Sequence, residues 1–385
     1  MTVAFGAPWI LIVALKPVAA EVGGARSIPA FASALGWFGQ GLGGILMGRL
    51  AEKFGVRWTV IFGAAMICIG LLLSMGGAPW QLYVGHGLFM GILGNGGINA
   101  PFYVYISRWF DRRRGSALAL ISSGSYVAGA IWPNIFEPSI AQFGWRQTML
   151  WYGLFEVLVV VPLALIFLKR APEMPTVPLP GAPVAGGRVF GWPPSAIYIP
   201  MVIAGFLCCV TMSMPQAHIV ALCSDIGIKP AHGAAMLSLL LSAGFISRQV
   251  WGVVSDNIGG LKTLIIGSAC QTIAMTGFLL TTDEVGLFIV SAAFGFGFAG
   301  LIPAYVLAIR QHFPASEASW RIPTLLLLSG SGMGTGGWLA GVLYDHFGYY
   351  APAFAAGVLA NVLNLVLITV LVVRQKVFAR QAQAT

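Results

Sequence analysis

Arg248 is a permanent cation in an apolar segment, 231–254, that holds no other Asp, Glu, Lys or Arg. It lies eight residues before Asp256. At helical rise that is about 12 Å from the segment's polar end, and the middle of a bilayer core is about 15 Å deep. An ionisable group at that depth is a functional-site candidate by default, because hydrocarbon offers it no solvation. Its planar fork fits a carboxylate bidentately; the alternative is a helix–helix contact to a backbone carbonyl. Lys16 is a second cation near the end of the first apolar segment, just before Pro17. It can meet an anion or snorkel outward to water, and Pro17 frees a carbonyl one turn earlier and loosens the helix there. His218 falls in a seventh apolar segment, as a titrating switch or a satisfied packing residue. Glu156 in the sixth is expected to face lipid or the outside of a bundle, neutral or snorkelled, and is set aside. Tyr103 and Tyr105, and Tyr305 further on, supply hydroxyl donors in otherwise apolar sequence.

Other chemistries are missing. No nucleophile is paired with a base, no His/Asp metal set or HExxH is present, and no Walker motif binds ATP. The five cysteines fall inside apolar runs without CxxC spacing and read as small packing residues. An enzyme embedded in a membrane is therefore a remote alternative, and no cofactor or metal is expected.

The elements that must position these residues follow from composition. The chain has 385 residues, 58% of them hydrophobic and only 9% charged, with mean hydropathy +0.85. A water-facing protein carries about 25% charge. Charge is absent from 58 to 107, 115 to 136, 189 to 224, 263 to 282, 285 to 309, 322 to 344 and 347 to 373. Each run reaches the roughly 20 residues that cross a bilayer as a helix. Solid apolar blocks also exclude a β-barrel, whose strands alternate. Charges and Gly/Pro breaks divide the chain into twelve expected spans: 2–22, 28–48, 58–77, 79–107, 115–136, 148–168, 195–224, 231–254, 262–281, 285–310, 322–344 and 349–373. The first, lacking a basic leader and a cleavage site, reads as a retained helix. The Pro- and Gly-rich stretch 169–194 reads as a linker between six spans and six. Three domains result: 1–168, the linker 169–194, and 195–385 with a short tail.

An even span count puts both termini on one face. Sixteen of the 21 basic residues lie on that face and only Arg26, Arg146 and Lys229 on the other, so the termini and linker are expected to be cytoplasmic. The net charge of +9 then reflects topology, and no nucleic acid is implied.

The chain also repeats. Gly48-Arg49-Leu50-Ala51-Glu52-Lys53-Phe54-Gly55 recurs as Gly252-Val253-Val254-Ser255-Asp256-Asn257-Ile258-Gly259, 204 residues on, and Phe143-Gly144-Trp145 recurs at the same offset as Phe347-Gly348-Tyr349. In the first motif the glycines suit tight turns and close helix approach, and the acids Glu52 and Asp256 suit helix N-termini or a basic partner.

This Gly-x-x-x-acid-x-x-Gly pattern resembles the cytoplasmic signature of the major facilitator superfamily. A narrower likeness joins it. Trp109-Phe110 followed by Arg112-Arg113-Arg114-Gly115 is similar to the fourth-span turn of monocarboxylate-porter and oxalate:formate-antiporter-like proteins. His218-Ile219-Val220 with Asp225-Ile226-Gly227 resembles their seventh span, and Gly336-Gly337-Trp338-Leu339 with Tyr344-Asp345 their eleventh. The resemblance implies an all-α membrane protein of two pseudo-symmetric six-helix bundles. Its function would be alternating-access transport of small organic anions, mono- or dicarboxylates, coupled to protons or to a counter-anion. It further implies that Lys16 occupies the place of a functional lysine, that Tyr103 and Tyr305 sit on helices lining the cavity, and that Lys16 and His218 are the coupling candidates. The N-terminal edge reads as abbreviated, and Gly244 stands where some members carry an aspartate one turn before the arginine matching Arg248. A monomer in a bacterial inner membrane is expected. A drug or amphiphile exporter of the same fold is the alternative.

Overall fold

The computed structural model describes residues 1–109, 120–169 and 188–384. Twelve helical spans, α1 to α12, run through these residues. α1 consists of Ala7–Val13 and Leu15–Glu21. α2 is Ser27–Phe54 and α3 is Val56–Ser74. α4 runs from 79 to 109, with a π-helical centre at Val84–Asn95. One helical run, Gly124–Phe167, is broken at Gly144 (φ 80°) into α5, 124–143, and α6, 145–167. α7 is Pro194–Asp225, α8 Pro230–Ile258 and α9 Gly260–Leu280. α10 joins Glu284–Phe298 to Leu301–His312. α11 is Ala315–Phe347 and α12 Ala351–Ala384.

Eight of these runs are long and apolar enough to cross a membrane. Their large exposed side chains are apolar: Leu158, Ile273, Leu280 and Val366 among them. In water such a surface would aggregate; against acyl chains it is solvated. The protein is an all-α, multi-pass membrane protein.

Several helices run on through charges that the expected limits exclude. α11 begins near 315 rather than 322 because Arg321, read as a boundary charge, is buried. Its Nε and a terminal nitrogen donate to Glu317 one turn earlier (3.0 and 2.6 Å), and its guanidinium lies 4.4–4.6 Å from the ring centres of Phe313, Tyr198 and Trp320. α5 likewise continues past Glu137 to 143. In α1 the predicted loosening takes the form of a break at Ala14 (φ −84°, ψ 9°), three residues before Pro17.

The 204-residue repeat reaches the backbone. Positive φ occurs at Gly23 and Gly227, Gly55 and Gly259, Gly144 and Gly348. Each pair closes the corresponding turn in the two copies with a conformation that L side chains avoid. Close approach is needed elsewhere: a Cβ on Gly43 of α2 would collide with the Ile92 carbonyl of α4.

The chain forms two compact units. One comprises Met1–Thr176, Pro215–Ser242 and Gly337–Ala353, the other Val177–Met214, Ala243–Gly336 and Phe354–Thr385. In the first unit the α1–α2, α7–α8 and α11–α12 turns come together. In the second, Tyr305 and Asn364 lie in a buried polar seam with Ser268 and Asn361.

Most of the expected linker, 170–187, and Arg112 with the rest of 110–119 lie outside the described residues. The linker's last residues are described. Val189 and Trp192 pair their backbones, and Arg374 Nε donates to the Phe190 carbonyl at 3.0 Å.

Candidate functional site

Among the described residues of the first unit, an extended charged network is built around Arg26, in the turn between α1 and α2. Gly23 and Gly24 bend the chain there (φ 99° and 85°), and α2 starts at Ser27 without a side-chain cap from its own sequence. Asp345, near the end of α11, supplies the cap from 319 residues away. Its two oxygens accept from the backbone N–H groups of Arg26 (2.8 Å) and Ser27 (2.9 Å). A carboxylate at a helix N-terminus satisfies free donors and meets the positive end of the dipole.

The Arg26 side chain is only 7% exposed. Its two terminal nitrogens grip both oxygens of Asp225, the last residue of α7, at 2.6 and 2.7 Å. One of them also donates to the Tyr350 hydroxyl at 2.7 Å, and the guanidinium stacks 3.7 Å above the Tyr344 ring. Burial by itself would lower the Arg26 pKa, but its hydrogen bonds to Asp225 and Tyr350, with their charge attraction, outweigh it and hold the pKa above its usual value.

Two of the residues singled out in the sequence join this network. Lys16 Nζ lies 3.1 Å from Asp225 Oδ1 and 3.1 Å from Ser224 Oγ, and its side chain is 46% exposed. His218 is fully buried, with Nδ1 3.0 Å from the Tyr350 hydroxyl and Nε2 2.8 Å from the Gly337 carbonyl. A carbonyl only accepts, so Nε2 carries the proton. The Tyr350 hydroxyl accepts from Arg26 and donates to Nδ1, which gives both ring nitrogens a partner with a neutral imidazole. The result is one string: Lys16, Asp225, Arg26, Tyr350, His218, Gly337.

The remaining expected residues are not part of it. Arg248 is half-buried in α8, in the second unit, ten residues before the helix ends at Ile258. Tyr305 is completely buried and donates to Asn364 Oδ1 at 2.6 Å, so its hydroxyl is taken up within its own unit. Tyr103 is half-buried on α4, and Tyr105 packs against Trp109 at 6.0 Å. Glu156 requires a correction: expected to face lipid or the bundle's outside, it has no exposed surface. Neither of its oxygens has a hydrogen-bond partner among the described residues, so it cannot snorkel.

The signature glycines divide by role. Gly55 and Gly259 need their positive φ, whereas a Cβ on Gly48 or Gly252 would meet nothing within 4 Å. Of the two roles expected of these glycines together, tight turning and close approach, the second is not made at Gly48 or Gly252 in this structure. Glu52 lies within α2, its side chain outside the described ones, and Asp256 is exposed on α8.

Arg26 was the residue that sequence reasoning passed over, as a loop charge on the minority face. The repeat held a signal for its site: Glu21-Val22-Gly23 and Asp225-Ile226-Gly227 stand 204 residues apart.

This turn signature, repeated in a chain of apolar helices, is what the comparison with known families bears on. The sequence model of the Major Facilitator Superfamily matches residues 1–318 and, overlapping, 201–384, and the chain belongs to that family. Its family and fold are those of a transporter rather than an enzyme. It is 25% identical over 283 residues to "MFS-type transporter 1" of Ophiocordyceps sp. (strain BCC 1869), a match covering 73% of this chain and 61% of that protein. It is 25% identical to "Monocarboxylate transporter 13" of Bos taurus, covering 82% of this chain and 73% of that one. With "Agnestins efflux protein AgnL12" of Paecilomyces divaricatus the identity is 22%, over 67% of this chain and 58% of that one. In fold it is similar to a POT family transporter crystallised with 5-aminolevulinic acid, at TM-score 0.73 and 13% identity, covering 98% and 96% of the two chains.

Proposed function

We propose that this transporter moves small organic anions, mono- or dicarboxylates, by alternating access between two six-helix halves divided at the linker. Movement would be coupled to protons or to a counter-anion, and the termini would face the cytoplasm. The observation that carries this reading is Arg248: a half-buried cation about 15 Å inside the end of an apolar helix, with Lys16 as a second cation on α1. The likeness to a relative named for monocarboxylate transport supports it. Counterflow in proteoliposomes against a panel of mono- and dicarboxylates tests it. Uptake should be saturable for at least one carboxylate and lost in both Arg248→Ala and Arg248→Lys, since an ammonium does not reproduce a bidentate fork. Wild-type affinity in Arg248→Ala would make the arginine helix–helix glue.

The likeness to a relative named for efflux favours a second reading, export of a larger amphiphile. The same vesicles loaded with apolar amphiphiles decide between them.

A further inference from the structure

The repeat shows what is special about the Arg26 network. Glu21 and Asp225 are equivalent acids, each two residues before a positive-φ glycine, and Trp145-Arg146 is equivalent to Tyr349-Tyr350. In the first copy the acid is closed locally. Glu21 accepts from Trp145 Nε1 at 2.9 Å and pairs with Arg146. In the second copy the arginine's place is taken by the neutral Tyr350, so Asp225 has no cation at the equivalent position. Its charge is met by Arg26 and Lys16, both from the other side of the linker. The repeat positions of those two cations are Pro230 and Val220. Neither cation belongs to what the two copies share.

The shared turn therefore does not require Arg26 and Lys16, yet together they hold a carboxylate as a binding site would. A guanidinium takes both oxygens and an ammonium one of them, with an aromatic ring under the guanidinium. We propose that Arg26 and Lys16 form a carboxylate-binding site in which Asp225 is the resident anion and a small carboxylate substrate takes its place. The inference rests on the anion-transport reading and gives it a second, named site.

Exchange suits the burial. Baring the guanidinium of a side chain that is 7% exposed would leave an uncompensated buried charge, which is strongly unfavourable. Replacing one carboxylate by another leaves it paired throughout. The way in is marked by Lys16, 46% exposed, and the way out by Asp225, whose side chain is 20% exposed at the end of its helix. Asp345 is the positioning residue: its bonds to the Arg26 and Ser27 amides keep the turn in place while Asp225 leaves. In this scheme Asp225 competes with substrate, so the measured affinity is lowered by the fraction of sites it fills.

Competition and a simple latch predict different signs. If the ion pair only ties two helix ends together, breaking it from either side shifts the same equilibrium, and affinity moves the same way. If Asp225 is a resident anion, removing it frees the site, whereas weakening Arg26 spoils it. The experiment is equilibrium binding of lactate and of succinate to the purified full chain in detergent, with melting curves to show that each variant is folded. Asp225→Asn should tighten binding of at least one probe by about tenfold, and Arg26→Lys should weaken it by about tenfold. Lys16→Gln, which alters an exposed side chain and keeps the fold if Arg26→Lys does not, should weaken it by about threefold. Asp225→Asn moving affinity in the same direction as Arg26→Lys or Lys16→Gln, or leaving it unchanged, overturns the exchange. Failure of wild type and Asp225→Asn alike to bind any carboxylate in the counterflow panel overturns the anion reading itself.

Discussion

Tyr350 is where the polar string turns from charge to neutral hydrogen bonding. Its hydroxyl accepts from Arg26 and donates to His218, and it is 3% exposed. Tyr350→Phe keeps the ring and removes both bonds, so an imidazole nitrogen and a guanidinium N–H lose a partner without gaining water. The expected loss is about 1–3 kcal/mol of stability, read as a lower melting temperature in detergent. Tyr349→Phe, on a side chain 56% exposed, should leave it unchanged. Equal melting of the two variants would mean that His218 is held by Gly337 alone. At this scale the sequence was partly legible. Lys16 and His218 stand out because a charge or imidazole in apolar sequence is conspicuous. Arg26 does not, because it sits in a polar turn and its partner lies 199 residues away. A single chain shows charge but not pairing, and Glu156 was misjudged for the same reason: its residue type does not reveal which side of α6 is covered.

Among the elements, the spans were legible from uninterrupted apolar sequence, and their limits failed where a helix runs on through a charge, whether that charge is exposed, as Lys376 and Arg380 are at the end of α12, or buried. Arg321 is the clearest case, since Glu317 and three rings replace water around it. Arg321→Ala should expose that gap, unpair Glu317 and fray the first two turns of α11, seen as faster amide exchange there than in α9. The glycines give a second contrast. Gly43→Ala forces α2 off the α4 backbone and should cost about 1–3 kcal/mol, as overpacking does. Gly48→Ala adds a methyl into open space and removes a flexible residue from a helix, so it should be neutral or stabilising by up to about 1 kcal/mol. Comparable destabilisation of both variants would show that Gly48 also packs against a neighbour. If Gly48→Ala melts normally but transports slowly, the glycine serves a conformation other than this one. That outcome would restore to the signature the close approach that the sequence suggested.

On the scale of the whole molecule, the duplicated turns and the distribution of charge make one prediction about direction. Gly23 and Gly227 close matching turns after α1 and α7, and Gly144 and Gly348 match after α5 and α11, so these four turns share a face in a chain whose spans alternate. Arg26, Arg146 and Lys229 belong to that face, and it is the poor one in basic residues, by 3 to 16. Translocation disfavours loops rich in Lys and Arg, so this face should be external and the termini cytoplasmic. Single cysteines read the outcome in intact cells. The native thiols are four buried and one, Cys270, exposed on α9, so the background carries Cys270→Ser. Lys229→Cys, in the α7–α8 turn, should react with a membrane-impermeant maleimide, and Arg374→Cys, near the end of α12, only after permeabilisation. The opposite labelling would invert the orientation and place the Arg26–Asp225 exchange on the cytoplasmic face, where it would govern release rather than capture for an importer.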